Sequence, residues 1–156
     1  MLILYFLSII IFVSYIFFII KKYGILPSIS ESYYSLPEKL KFLFILFCVF
    51  FSVSIISVAH NPLIFFAGSG ICFVGTAAQF KKRLPKKVHY FGAISGILFS
   101  QLSIFLDFDL LYVNLLFISI SSLIFFLRKK YFKNYIWWIE ILAFLSILYT
   151  IGLSLL

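Results

Sequence analysis

Charged residues are scarce in this chain. They make up 12% of its 156 residues, and only 5 are Asp or Glu. A soluble domain carries about 25% charged and about 45–50% apolar residues, whereas here the apolar share is 64% and the mean hydropathy is +1.17. A small domain keeps a large fraction of its residues at the surface, so a water-facing globule is excluded and lipid is the remaining solvent. Histidine occurs twice, as His60 and His89, which leaves no zincin pattern and no histidine-rich metal site. Cysteine also occurs twice. Cys48 and Cys72 sit inside apolar runs with neither a disulfide framework nor a metal-ligand spacing, and both read as small packing residues. Gly68-Ser69-Gly70 lacks the lysine of a phosphate-binding loop, and no Gly-x-Ser-x-Gly elbow occurs. No metal and no cofactor is therefore expected.

Apolar runs are abundant, with 22 Phe and 10 Tyr among them. A membrane-spanning helix needs about 20 mostly apolar residues, and six segments approach or meet that length: 2–20, 42–59, 63–78, 88–106, 110–127 and 135–155. They lack the alternating polarity of a membrane β-barrel. The expectation is an all-α polytopic membrane protein, a bundle of six transmembrane helices forming a single domain over 1–156. The first segment has no basic stretch before it and no small-residue cleavage pattern after it, so it reads as a retained helix rather than a signal peptide. His60-Asn61-Pro62 and Asp107-Phe108-Asp109 are expected tight turns. Residues 21–41, with Pro27 and Pro37, form the longest connection.

The basic residues set an orientation. All thirteen fall in 21–41, 80–87 and 128–134, the connections that alternate onto one side of a six-helix layout. The other side has none and holds Asp107 and Asp109. Lys and Arg in short loops mark the cytoplasmic side, so the three basic loops are expected inside and both termini outside. Charge clustered between apolar runs suits anionic lipid headgroups better than nucleic acid. Trp137 and Trp138 open the last segment and fit an interfacial aromatic belt.

A few polar residues need a reason to lie in apolar sequence. Glu140 is one; a carboxylate there costs about 2.5–3.5 kcal/mol and is expected to face inward toward a partner. His89, Lys86, Lys87 or a hydroxyl of the first loop are its candidate partners. Gln101 and Asn114 are placed to satisfy each other across helices. Gly92, Gly96 and Ser100 recur every four residues below His89, a stripe suited to close packing against the small residues of 63–78 or to a second copy of the chain. Asp107 and Asp109 offer too few ligands for a dedicated cation site. The polar residues least explained by solvation alone include Ser28, Ser30 and Glu31 of the first loop; the candidate catalytic residues are Ser30, Glu31, His89 and Glu140, and the candidate binding residues Ser28, Gln101 and Asn114.

Two stretches resemble a known family. Leu26-Pro27-Ser28-Ile29-Ser30-Glu31-Ser32, followed by Leu36-Pro37-Glu38, is one; His89-Tyr90-Phe91-Gly92-Ala93, continuing to Phe99, is the other. Together they resemble the Frag/DRAM/Sfk-type six-helix membrane proteins, which have a proline-containing Ile-Ser-acidic loop after helix one and a His-x-x-Gly-Ala start to a later helix. The chain is also similar to small uncharacterised membrane proteins of bacteria and their phages. The resemblance implies a shared bundle in which Ser30, Glu31 and His89 meet, and no particular reaction. In the animal members the corresponding loop is drawn outside the cytoplasm, opposite to the orientation that the charges give here.

Three classes of function follow as expectations. The first is a small integral membrane protein that modulates the envelope or a partner without catalysis. The second is a small transporter or pore, holin-like if phage-encoded. The third is an intramembrane lipid hydrolase using a serine, a histidine and a carboxylate within hydrogen-bond reach.

Overall fold

The computed structural model describes residues 2–57, 61–77 and 83–155, with the backbone alone at 77, 83–89 and 108. His60, Lys81 and Lys82 lie outside the described residues, as does the side chain of His89. Among the described residues the chain is all-helical. Six long helices, α1 (Leu2–Tyr23), α3 (Lys41–Ser57), α4 (Pro62–Ala77), α5 (Arg83–Leu106), α6 (Leu111–Leu127) and α7 (Tyr135–Ser154), follow in chain order, and one helical turn, α2 (Ser32–Ser35), lies in the first loop.

Local chemistry sets the ends. Gly24 at φ +76 donates its N–H to Ile20 O at 2.9 Å and closes α1, a left-handed cap that glycine adopts without strain. Pro27 follows and prevents resumption. Asn61 caps α4 by accepting the Ile64 N–H at 3.0 Å on Oδ1, with Pro62 at the first helical position where its missing N–H costs nothing. Asp107 Oδ1 accepts the Asp109 N–H at 3.2 Å and opens the short 3₁₀ turn Phe108–Leu110. The helix expected from 88 begins at Arg83, because Pro85 falls in the first turn, where proline is tolerated.

Successive helices pack as neighbours. α1 lies on α3, α3 on α4, α4 on α5, α5 on α6 and α6 on α7, and α7 returns to touch α1 and α5. An aromatic cluster fills the centre: Tyr15 stacks on Phe47 with centroids 4.9 Å apart, and Phe51 meets Phe144 edge-on at 4.7 Å. The small residues of α4 are used on two sides. Gly68 and Gly75 face α3, where a Cβ would meet Ile56 and Cys48, while Gly70 faces Gly92 and Gly96 of α5. The Gly92, Gly96 and Ser100 stripe is therefore covered by α4 of the same chain, and self-association through it would require α4 to leave. Close backbone approach stabilises helix pairs in lipid, where the hydrophobic effect does not.

The two ends of the bundle differ in charge. Ser54 Oγ donates to Leu4 O at 3.0 Å, Asn61 Nδ2 to Ser103 Oγ at 2.9 Å, and Gly152 lies against the Tyr5 ring. These contacts gather both termini, Asn61 and the Asp107 turn at one end. The first loop and the 128–134 connection meet at the other, with Lys21, Lys22, Lys39, Lys41, Arg128, Lys129, Lys130 and Lys133 around them.

Three helical stretches are long and apolar enough to cross a bilayer: Leu2–Tyr23, Glu38–Ser57 and Tyr135–Ser154. Pro62–Thr76, Tyr90–Leu106 and Leu111–Leu127 are apolar but shorter. The outer surface is apolar too; Ile3, Phe91 and Phe126 are 82%, 72% and 79% exposed, an arrangement suited to lipid. One expectation is corrected. Trp137 is not part of an interfacial belt but is fully buried, because it shares an inward face of α7 with Leu148 and Ile151.

Candidate functional site

The first loop folds back onto the end of the bundle. Its prolines keep it from continuing as helix, so its amides and carbonyls need partners elsewhere, and two residues near the start of α7 supply them. Asn134 Nδ2 donates to Ile25 O at 2.5 Å, and the Ile29 N–H donates to Glu140 Oε2 at 2.5 Å. Ser32 Oγ donates to Ile29 O at 2.5 Å and stands 2.5 Å from Tyr15 Oη. A serine hydroxyl has one hydrogen, so Tyr15 is the donor in that pair. Ile29 and Leu36 are buried beneath the loop and act as its apolar anchors.

Under the loop lies a cavity of about 50 Å³. Its lining is mostly apolar and includes Phe44, Phe47 and Phe144, with Ser30 and Glu140 among the lining residues; Ala93, one turn beyond His89, lines it from α5. A single water needs roughly 10–15 Å³ of such space, so the cavity takes a few waters or a small molecule.

The structure thus brings together Ser28, Ser30 and Glu140. Ser28 Oγ accepts the Glu31 N–H at 3.2 Å and lies 3.0 Å from Ser30 Oγ. Glu31 does not join them: its side chain is exposed, because the turn at 28–31 directs it out of the bundle. Glu140 finds a first-loop partner, but a backbone N–H rather than a hydroxyl. The side chain of His89 lies outside the described residues, as do those of Lys86 and Lys87.

Gln101 and Asn114 form a separate cluster. Asn114 Nδ2 donates to both Gln101 O and Gln101 Oε1 at 3.1 Å, and Gln101 Nε2 donates to Ser146 Oγ at 2.8 Å. Ser146 passes its own hydrogen to Ala143 O at 2.9 Å. All three side chains are buried, so their polar groups are spent tying α5, α6 and α7 together. Sequence inspection misses Tyr15, Asn134 and Ser146. Each is an unremarkable residue for its segment, and the loop backbone it serves carries no sequence signal.

Among the described residues no three of His, Cys, Asp and Glu gather to hold a metal ion, and Cys48 and Cys72 are free thiols. No model of a known protein family, no curated protein and no solved structure matches the chain.

Proposed function

We propose that the chain is a multi-pass membrane protein with six transmembrane helices that acts by binding, modulating the envelope or a partner, rather than by catalysis. The observation that carries this reading is the use of Glu140. Its carboxylate accepts the Ile29 N–H, so the strongest candidate for acid–base work holds a loop in place. Ser30 is bonded to Ser28 and Glu31 is exposed, so among the described residues the candidates Ser30, Glu31 and Glu140 do not assemble as a lipid hydrolase would need. The orientation belongs to the same reading: basic loops 21–41, 80–87 and 128–134 toward the cytoplasm and anionic headgroups, both termini outside. It is supported by the gathering of described Lys and Arg at one end and of Asp107 and Asp109 at the other.

A small transporter is the second reading, favoured by the cavity beside Glu140. Transporters place charged or broken-helix sites near the bilayer midplane; Glu140 stands in the second turn of α7 instead.

Cysteine accessibility in intact cells tests the reading. With Cys48 and Cys72 replaced by Ala, an impermeant thiol reagent is expected to label Asp109→Cys and to spare Ser30→Cys. Labelling of Ser30→Cys from outside overturns the orientation, and labelling of both or neither overturns the six-span layout.

A further inference from the structure

The cavity beneath the first loop joins two kinds of chemistry. Phe44, Phe47 and Phe144 are among its lining residues, and so are Glu140 and Ser30. Glu140 is its one carboxylate. Oε2 is bonded to the Ile29 N–H, and among the described residues no cationic side chain pairs with the group. An anionic oxygen in apolar surroundings is costly unless a cation or further donors reach it.

We infer that this cavity binds a short primary alkylammonium ion, its head on Glu140 and Ser30 and its tail among the phenylalanine rings. The inference rests on the reading that the chain works by binding. An ammonium group brings a positive charge and three N–H donors. Ring faces attract a cation and also pack against methylene groups. A cavity of about 50 Å³ limits the ligand to a handful of heavy atoms. A neutral alcohol of the same length satisfies the tail but leaves the carboxylate without its cation, and a carboxylic acid anion is repelled by it. Selectivity thus comes from the penalty on wrong ligands as much as from attraction of the right one.

Calorimetric titration of the full chain in lipid nanodiscs tests this with propylammonium and 1-propanol. Propylammonium is expected to bind at least about tenfold more tightly, the factor that one charge-assisted hydrogen bond supplies. Glu140→Gln keeps an acceptor for the Ile29 N–H while removing the charge. It is expected to erase the preference and leave 1-propanol unaffected. Ala143→Leu, which fills the cavity from α7, is expected to lose both probes. Equal affinity for the two probes, no binding by the folded chain, or a preference that survives Glu140→Gln overturns the assignment. If Ala143→Leu fails to fold, Glu140→Gln decides alone. Cysteine labelling that contradicts the six-span layout while propylammonium still binds removes the layout and leaves the site. The opposite pair of results removes the site alone.

Discussion

The backbone N–H of Ile29 donates to Glu140 Oε2 at 2.5 Å, linking the first loop to the last helix across 111 positions of sequence. A buried amide that loses its acceptor carries a penalty of about 1–3 kcal/mol. In Glu140→Ala the loop is therefore expected to open roughly five- to 150-fold more often, read as faster hydrogen exchange of the Ile29 amide. Glu140→Gln retains an acceptor and is expected to stay within fivefold of the parent chain. Global unfolding is the wrong measurement, because removing a carboxylate from apolar sequence also relieves a cost. Equal exchange in the two variants would sink the assigned role of Glu140.

Gly70 and Gly68 separate two kinds of close contact. A Cβ at Gly70 would stand 2.7 Å from Gly96 N and 2.8 Å from Gly92 O, both backbone atoms that cannot turn aside. A Cβ at Gly68 would meet Ile56 Cγ1 at 2.6 Å, a side-chain atom that yields only if the residue changes rotamer, and backbone only at 3.2 Å, at Ser52 O. Gly70→Ala is expected to destabilise the bundle by about 1–3 kcal/mol, and Gly68→Ala by less. Thermal unfolding in detergent micelles ranks them, and a reversed order would contradict the α4–α5 contact.

Asn114 and Gln101 offer a double-mutant cycle. Their side chains are bonded across α5 and α6 at 3.1 Å. Inter-helical hydrogen bonds in membranes couple by about 0.6 kcal/mol on average and up to about 1.7. Gln101→Leu, Asn114→Leu and the double variant are expected to give a coupling in that range by reversible unfolding. Strict additivity would mean that the pair does not form in lipid.

The two tryptophans make burial visible. Trp137 is fully buried and Trp138 half-buried. In Trp138→Phe the remaining emission is expected to be blue-shifted and weakly quenched by acrylamide. In Trp137→Phe it is expected to be redder and more readily quenched. Similar quenching in both would return Trp137 to the interface.

Composition made the helices legible, because apolar runs bounded by Gly24, Pro62 and the Asp107 turn leave little choice of secondary structure. It did not separate a helix long enough to cross a bilayer from one slightly short. Pro62–Thr76 and Leu111–Leu127 fall below the length that Leu2–Tyr23 exceeds. In the candidate site, Glu140 and the serines stood out because polar groups in apolar sequence need partners. The partner of Glu140 was hidden because it is a main-chain amide, and every residue but proline has one. Trp137 was misplaced for a related reason: position along a helix was read, but the face it occupies follows from how α7 packs.

The clasp of Asn134 and Glu140 also makes the first loop dependent on the far end of the chain. Residues 25–29 are made early, and both groups that hold them come from the far end of the chain. Without α7 and the residue before it, the amide of Ile29 and the carbonyl of Ile25 lack these partners, and the space beneath them has no α7 wall. The contacts of α1 with α3, α3 with α4, α4 with α5 and α5 with α6 do not involve α7, so a chain that stops before Asn134 retains the residues of those interfaces and loses the clasp on its first loop.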